Sequence, residues 1–210
     1  RVLFRSHKTA KPIFLSVVFS IFLMTTTVFF ARNHVFIPGI DTDSLQPITI
    51  PDKPSPQIVQ SARNQIGKTL HYDPAYTKLT YPMGDVPISK GVCTDVIIRA
   101  LRDQNIDLQA LVHQDMSQNF SVYPKRWGLT QPDTNIDHRR VPNLMTYFTR
   151  QGWAVQDTNY QAGDIVTWEL KGNRPHIGIV SDLKIGDRPL IIHNIGSGTR
   201  ENDILYRYTI

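Results

Sequence analysis

The chain has 210 residues, 40% of them hydrophobic, enough for one domain with its own core and a terminal accessory. Its net charge of +5 belongs to the leader: Arg1, Arg5, Lys8, Lys11 and Arg32 are the only basic side chains before Asp41, and taking these five from 23 leaves 18 against 18 acidic residues. A nucleic-acid-binding domain, which needs Lys and Arg clustered on itself, is therefore excluded as the expectation.

Residues 1–36 read as a basic leader with a membrane anchor or signal segment. The run 12–31 carries no charge and matches the roughly 20 helical residues that cross a hydrocarbon core. Basic residues before it keep that end in the cytoplasm and send the remainder outward, to the periplasm or another extracytoplasmic space. A cleaved signal peptide has the same basic start; the length of the run, and Phe29 where a small residue is wanted if cleavage followed Ala31, favour an uncleaved anchor. Residues 37–54 hold Pro38, Pro47, Pro51 and Pro54 and read as an extended tether, leaving 55–210 as the folded domain.

That domain is expected to open with a helix capped by Ser55, with Pro56 at its first position, an apolar stripe of Ile58, Val59, Ala62 and Ile66, and a stop at Gly67. A second helix starts near Cys93, where Cys93, Ile97, Ala100 and Leu101 fall on one face. The stretch 107–140 reads as irregular. A third helix runs from about Pro142 through Leu144, Met145, Tyr147 and Phe148 to Gly152. Short segments at 164–168, 176–181 and 190–195 read as strands, the last two as a hairpin closing within 182–189. Helices followed by an antiparallel sheet define an α+β fold.

The single cysteine rules out an internal disulfide and is either a buried small hydrophobe or a residue kept for chemistry. In the first turn of a helix, the positive helix end favours its thiolate, and free backbone N–H groups can hold an oxyanion. On the hairpin, His176 and His193 share a face if the turn centres on either 184–185 or 186–187, and the first centring makes them direct cross-strand neighbours. This suits a base, His176, oriented by His193, with Asn194 on the other face. The plain alternative is two histidines making ordinary hydrogen bonds in a sheet.

The segments 91–95 (Gly-Val-Cys-Thr-Asp), 112–116, 123–129, 135–144, 163–166, 176–180 and 192–196 together resemble the bacterial family called domain of unknown function 1287 (DUF1287). A Tyr-x-x-Gly lead-in at Tyr81, a cysteine opening a helix, a Gly-Asp before a strand and a His-x-Gly-Ile further resemble the NlpC/p60 papain-like cysteine peptidases. That resemblance implies a papain-like core in which helices pack on a small antiparallel sheet, with Cys93 as nucleophile, His176 as base and His193 orienting it. It also implies action on amide bonds of cell-wall peptides, with no cofactor and no metal. Val92-Cys93-Thr94-Asp95 stands where wall peptidases often read Asp-Cys-Ser-Gly, so their peptide-binding positions are not matched. Candidate substrate-binding residues are Tyr81, Asp95, Trp127, Asp137, His138 and Arg139. Arginines here could clamp a carboxylate, or Asp137 could simply pair with a neighbouring arginine on a surface loop.

Three other functions compete. A zinc hydrolase could draw on His113, Asp115, Asp137, His138, His176 and His193, but no His-Glu-x-x-His, His-x-His or Cys-x-x-Cys spacing occurs. A lipid esterase or acyltransferase would use the same cysteine and histidine. A non-catalytic envelope binding module would tolerate loss of Cys93.

Overall fold

A computed structural model describes residues 3–4, 48–51 and 53–210. The uncharged run at 12–31 lies outside these residues, and no helix among the described residues is long and apolar enough to cross a membrane. The elements in order are β1 (Leu3–Phe4), β2 (Ile48–Thr49), α1 (Gln57–Arg63), β3 (His71–Tyr72), β4 (Lys90–Gly91), α2 (Cys93–Arg102), α3 (Leu108–Asn119), α4 (Val141–Arg150), β5 (Ala154–Val155), β6 (Ile165–Leu170), β7 (Arg174–Ile185), β8 (Arg188–Asn194) and β9 (Thr199–Asn202). The fold is α+β: helices come first, and an antiparallel sheet ordered β5-β1-β6-β7-β8-β9 follows, with β2 pairing beside β7. Ile48 and Thr49, within the tether, thus extend the sheet as a short edge strand against Ile185 and Lys184.

The helices end as their sequences dictate. In α1 the boundary falls one residue later than expected, with Pro56 before the first turn, because Ser55 turns its hydroxyl to Asp182 instead of capping the helix. Pro142 sits in the first turn of α4, and Gly152 beyond its end adopts φ +71°, a left-handed value glycine tolerates. Part of the stretch expected to be irregular is α3, which the Asp107 side chain caps by accepting from the Gln109 amide at 3.1 Å. Its buried positions are Leu108, Gln109, Val112 and Met116, too sparse an apolar pattern to stand out against polar neighbours.

Alternation along the strands gives the sheet two buried faces. On one, Ile165, Ile177, Ile179 and Ile192 pack against α1, α2 and α4 in the main core, which also holds Cys93, Ile97, Leu101, Leu144 and Phe148. On the other, Val166, Trp168, Val180 and Ile191 lie under Ile204 and Leu205 of the C-terminal segment. α2 is buried from Cys93 to Leu101, and each fully buried Ile or Leu contributes about 1.5–3 kcal/mol.

The β7–β8 hairpin turns at Gly186-Asp187, the second of the two centrings expected from sequence. Between Lys184 and Val180 the register then slips, so that Val180 faces Ile191 and Ile179 faces Ile192. The slip keeps His176 and His193 on one face but makes them diagonal neighbours rather than direct partners.

Candidate active site

Cys93 opens α2, and the backbone before it is fixed by side chains of the same helix. The Asp95 carboxylate accepts the Val92 amide at 2.6 Å, closing the first turn. Arg99, buried, holds Asp85 through two bonds of 2.9 and 3.0 Å and donates to the Val86 and Lys90 carbonyls, so it shapes the loop leading to the cysteine. Gly91 is required there, since a Cβ would lie 2.9 Å from an Asp95 oxygen. The Gly91 carbonyl accepts from Asn194 Nδ2 at 3.1 Å, tying the end of β8 to the cysteine loop. Asn194 thus faces away from the histidines, as alternation along β8 requires.

The thiol is 4% exposed. Burial pushes its pKa up to about 12, opposed by donors aimed at the sulfur: the Ile177 and Thr94 amides and the Tyr72 hydroxyl. Tyr72 is itself shifted up, by burial and by its contact with Cys93. Sequence reasoning missed Tyr72. Its strand, β3, lies parallel to β4 across 17 intervening residues, a pairing that no local pattern announces.

His176 and His193 meet on the opposite face, His176 Nε2 lying 2.9 Å from His193 Nδ1, so one nitrogen donates and the other accepts. Both are about 2% exposed, and burial holds both below the ordinary imidazole range. The Trp168 ring lies 5.8 Å from that of His176, while Asn202 and Arg200 of β9 flank His193. Cys93 and His176 are therefore one residue apart in alternation: the Ile177 amide points at the sulfur, while the preceding imidazole faces Trp168. Among the described hydrogen bonds, none joins Cys93 to either histidine. Tyr72, which contacts the sulfur, and His176 both line a cleft of about 1170 Å³ at the β6–β7 turn; Cys93 itself is not among the residues lining it.

The remaining candidates divide. Asp95 and Arg139 form a buried, two-pronged ion pair at 3.0 and 2.9 Å, and the Arg139 carbonyl accepts from the Thr94 hydroxyl. Arg139 is therefore a brace under the cysteine helix rather than a surface clamp for substrate. Asp137 and His138 are also buried; Asp137 accepts the Asp133 amide, and burial with Arg139 nearby lowers His138 to about 4. The expected pairing of a charged surface loop gives way to a packed turn because Asp95 recruits Arg139 inward. Tyr81, 44% exposed, packs edge-on against His113, and Trp127 lies over Arg140 at 4.4 Å. No trio of His, Cys, Asp or Glu among the described residues could hold a metal ion.

The profile of the domain of unknown function (DUF1287) matches residues 59–210, the helices and sheet just described. The chain belongs to that family. It is also 56% identical over 156 residues to "Uncharacterized protein YijF" of Escherichia coli (strain K12), an alignment covering 72% of this chain and 76% of that protein. No solved structure matches it.

Proposed function

We propose that this DUF1287 domain is an extracytoplasmic cysteine hydrolase that cleaves acyl bonds, with amide bonds of cell-wall peptides as its substrates. The observation that carries the reading is the placement of the thiol: Cys93 opens α2, with its lead-in held by Asp95 on the Val92 amide and by Asn194 on the Gly91 carbonyl. The positive end of the helix favours a thiolate against the burial that raises the thiol, and its free amides can hold the oxyanion that follows attack. The likeness of the cysteine, Gly-Asp and His-x-Gly-Ile segments to NlpC/p60 peptidases supports the same chemistry, and the leader supports an extracytoplasmic address.

In this mechanism Tyr72 covers the resting thiol, and substrate entering the cleft displaces it. The thiol proton passes, through water in the cleft that Tyr72 and His176 line, to the His176 nitrogen not engaged by His193, and the thiolate attacks the acyl carbon. The tetrahedral oxyanion collapses, the amine leaves with a proton returned by His176, and water deacylates Cys93 with His176 as base.

The test uses the full chain in detergent and a limiting thiol alkylator from about pH 5 to 9, spanning the range below the ordinary thiol pKa of roughly 8.5. Modification of folded protein within this range, despite the burial that raises the thiol, is expected, faster in Tyr72→Ala, which uncovers the sulfur, and slower in His176→Ala. Hydrolysis of purified wall peptides should vanish in Cys93→Ala and His176→Ala and fall in His193→Ala.

The burial of the thiol favours a second reading, a non-catalytic envelope binding module in which Cys93 is a core residue. A thiol inert until the protein unfolds, with wall-peptide binding intact in Cys93→Ala, would establish that reading and end the first.

A further inference from the structure

The cleft that Tyr72 and His176 share carries a charge pattern unlike the rest of the neutral domain. It is walled by the β6–β7 turn on one side and the C-terminal segment on the other, and it holds Lys171, Arg174 and Arg207 against one carboxylate, Glu169. All three cations are exposed, and among the described residues none takes part in an ion pair. Arg63, Lys90, Arg99, Arg102, Arg139, Arg150 and Arg188 each meet Asp or Glu. Cations such as Lys68, Lys78, Lys125 and Lys184 are, among the described residues, also without an acid but stand outside the cleft, so it is the gathering of three around one hollow that sets this site apart. Arg174 is fixed by donating to the Lys171 carbonyl at 3.1 Å across the turn, which leaves the rest of its guanidinium for another partner.

The charge continues past the histidines. An adjoining hollow of about 190 Å³ is lined by His193, Arg200 and again Arg207, with Arg200 anchored on the Ser197 carbonyl. Exposed Tyr206 lines the main cleft as well, at 54% exposure, giving a flat apolar surface among the cations. At about 1170 Å³ the cleft is at the upper end of ligand sites, wide enough for a short peptide.

We infer that this cleft selects acyl substrates bearing carboxylates, held by Lys171, Arg174 and Arg207 beside the histidine pair. The inference deepens the proposed function and takes its acyl chemistry from it, but the charge selection is a property of the cleft alone. Guanidinium groups bind carboxylates with paired, directional bonds, and field lines focus in a cleft of one sign. The carboxylate clamp expected from sequence at Arg139 is supplied instead by cations that have no acid of their own.

The experiment measures binding, not turnover, on the full chain carrying Cys93→Ala, so that failure of the catalytic reading leaves the result interpretable. The probe is N-dansyl-alanyl-glutamate, with two carboxylates, against its uncharged diamide, followed by fluorescence anisotropy. The dianion should bind about tenfold more tightly or better, a preference shrinking with added salt and largely lost in Arg174→Gln/Arg207→Gln. Glycerol phosphate is the competing anion: displacement of the probe at lower concentration than by alanyl-glutamate would overturn the carboxylate assignment. Equal affinity for dianion and diamide, no binding of either, or a preference that survives the double substitution would overturn the inference. Wild-type chain whose Cys93 is shielded from alkylation by the dianion, and not by the diamide, would place the clamp beside the thiol.

Discussion

The two faces of the sheet are built to different standards. The helix-covered face is a deep apolar core, braced at its margin by the buried ion pair of Asp95 with Arg139. The other face has a smaller apolar cluster, covered by one C-terminal segment, and keeps two imidazoles whose buried partner is each other. A single step along β7, from His176 to Ile177, crosses from one to the other. Tyr72, beside the helix-covered thiol, and His176, on the other face, both line the cleft at the β6–β7 turn, with the apolar core packed behind them.

That contrast can be broken from either side. The largest effect is expected on the helix side: Asp95→Ala strands the Arg139 guanidinium in the core and uncaps α2, costing about 3–5 kcal/mol in urea denaturation. A loss below about 1 kcal/mol would mean the pair is solvated and the core account is mistaken. Gly178→Ala comes next, because the new Cβ would lie 2.7 Å from Ile191 Cγ2 and 3.2 Å from His193 Cβ. About 1–3 kcal/mol of destabilisation is expected. The imidazole NMR signals of both histidines should move as the pair is pushed apart; unchanged signals would separate packing from the dyad.

The histidine face should also make stability depend on pH. Buried imidazoles with lowered pKa values bind protons more weakly folded than unfolded, so their contribution is complete above the unfolded value of 6.5 and is lost as pH falls toward the folded values. His138 acts in the same direction. His176→Gln/His193→Gln should flatten the fall in stability below about pH 6.5, measured by urea midpoints at several pH values; a curve as steep as wild type would mean that folding does not lower the pair's pKa values. The smallest effect is expected at the surface, where Arg188→Ala removes the exposed pair with Asp203 and should leave the melting temperature unchanged.

Much of this architecture is legible in the residues. Cys93, Ile97, Ala100 and Leu101 mark α2 because a one-turn repeat survives even in a helix buried all round. The α+β order, the hairpin and the shared face of His176 and His193 follow from period-two alternation. The register does not, because the slip between Val180 and Lys184 depends on how Ser181 and Asp182 turn aside to Arg63. Tyr72 and Arg139 were misplaced or missed for a related reason: their partners, Cys93 and Asp95, lie 21 and 44 residues away, and only tertiary packing chooses them. Among the described hydrogen bonds none makes the pairing of Cys93 with His176 expected from the family pattern; His176 bonds His193 instead, and Tyr72 stands between the sulfur and the cleft that His176 lines.

Trp168 turns one of these contacts into a signal. Its indole N–H is committed to the Leu205 carbonyl, and its ring is held beside His176. An imidazolium quenches a neighbouring indole where a neutral imidazole does so far less, and Trp168 is the tryptophan that contacts this pair. Its emission is therefore an optical readout of the proton on the His176–His193 pair, available without any added label.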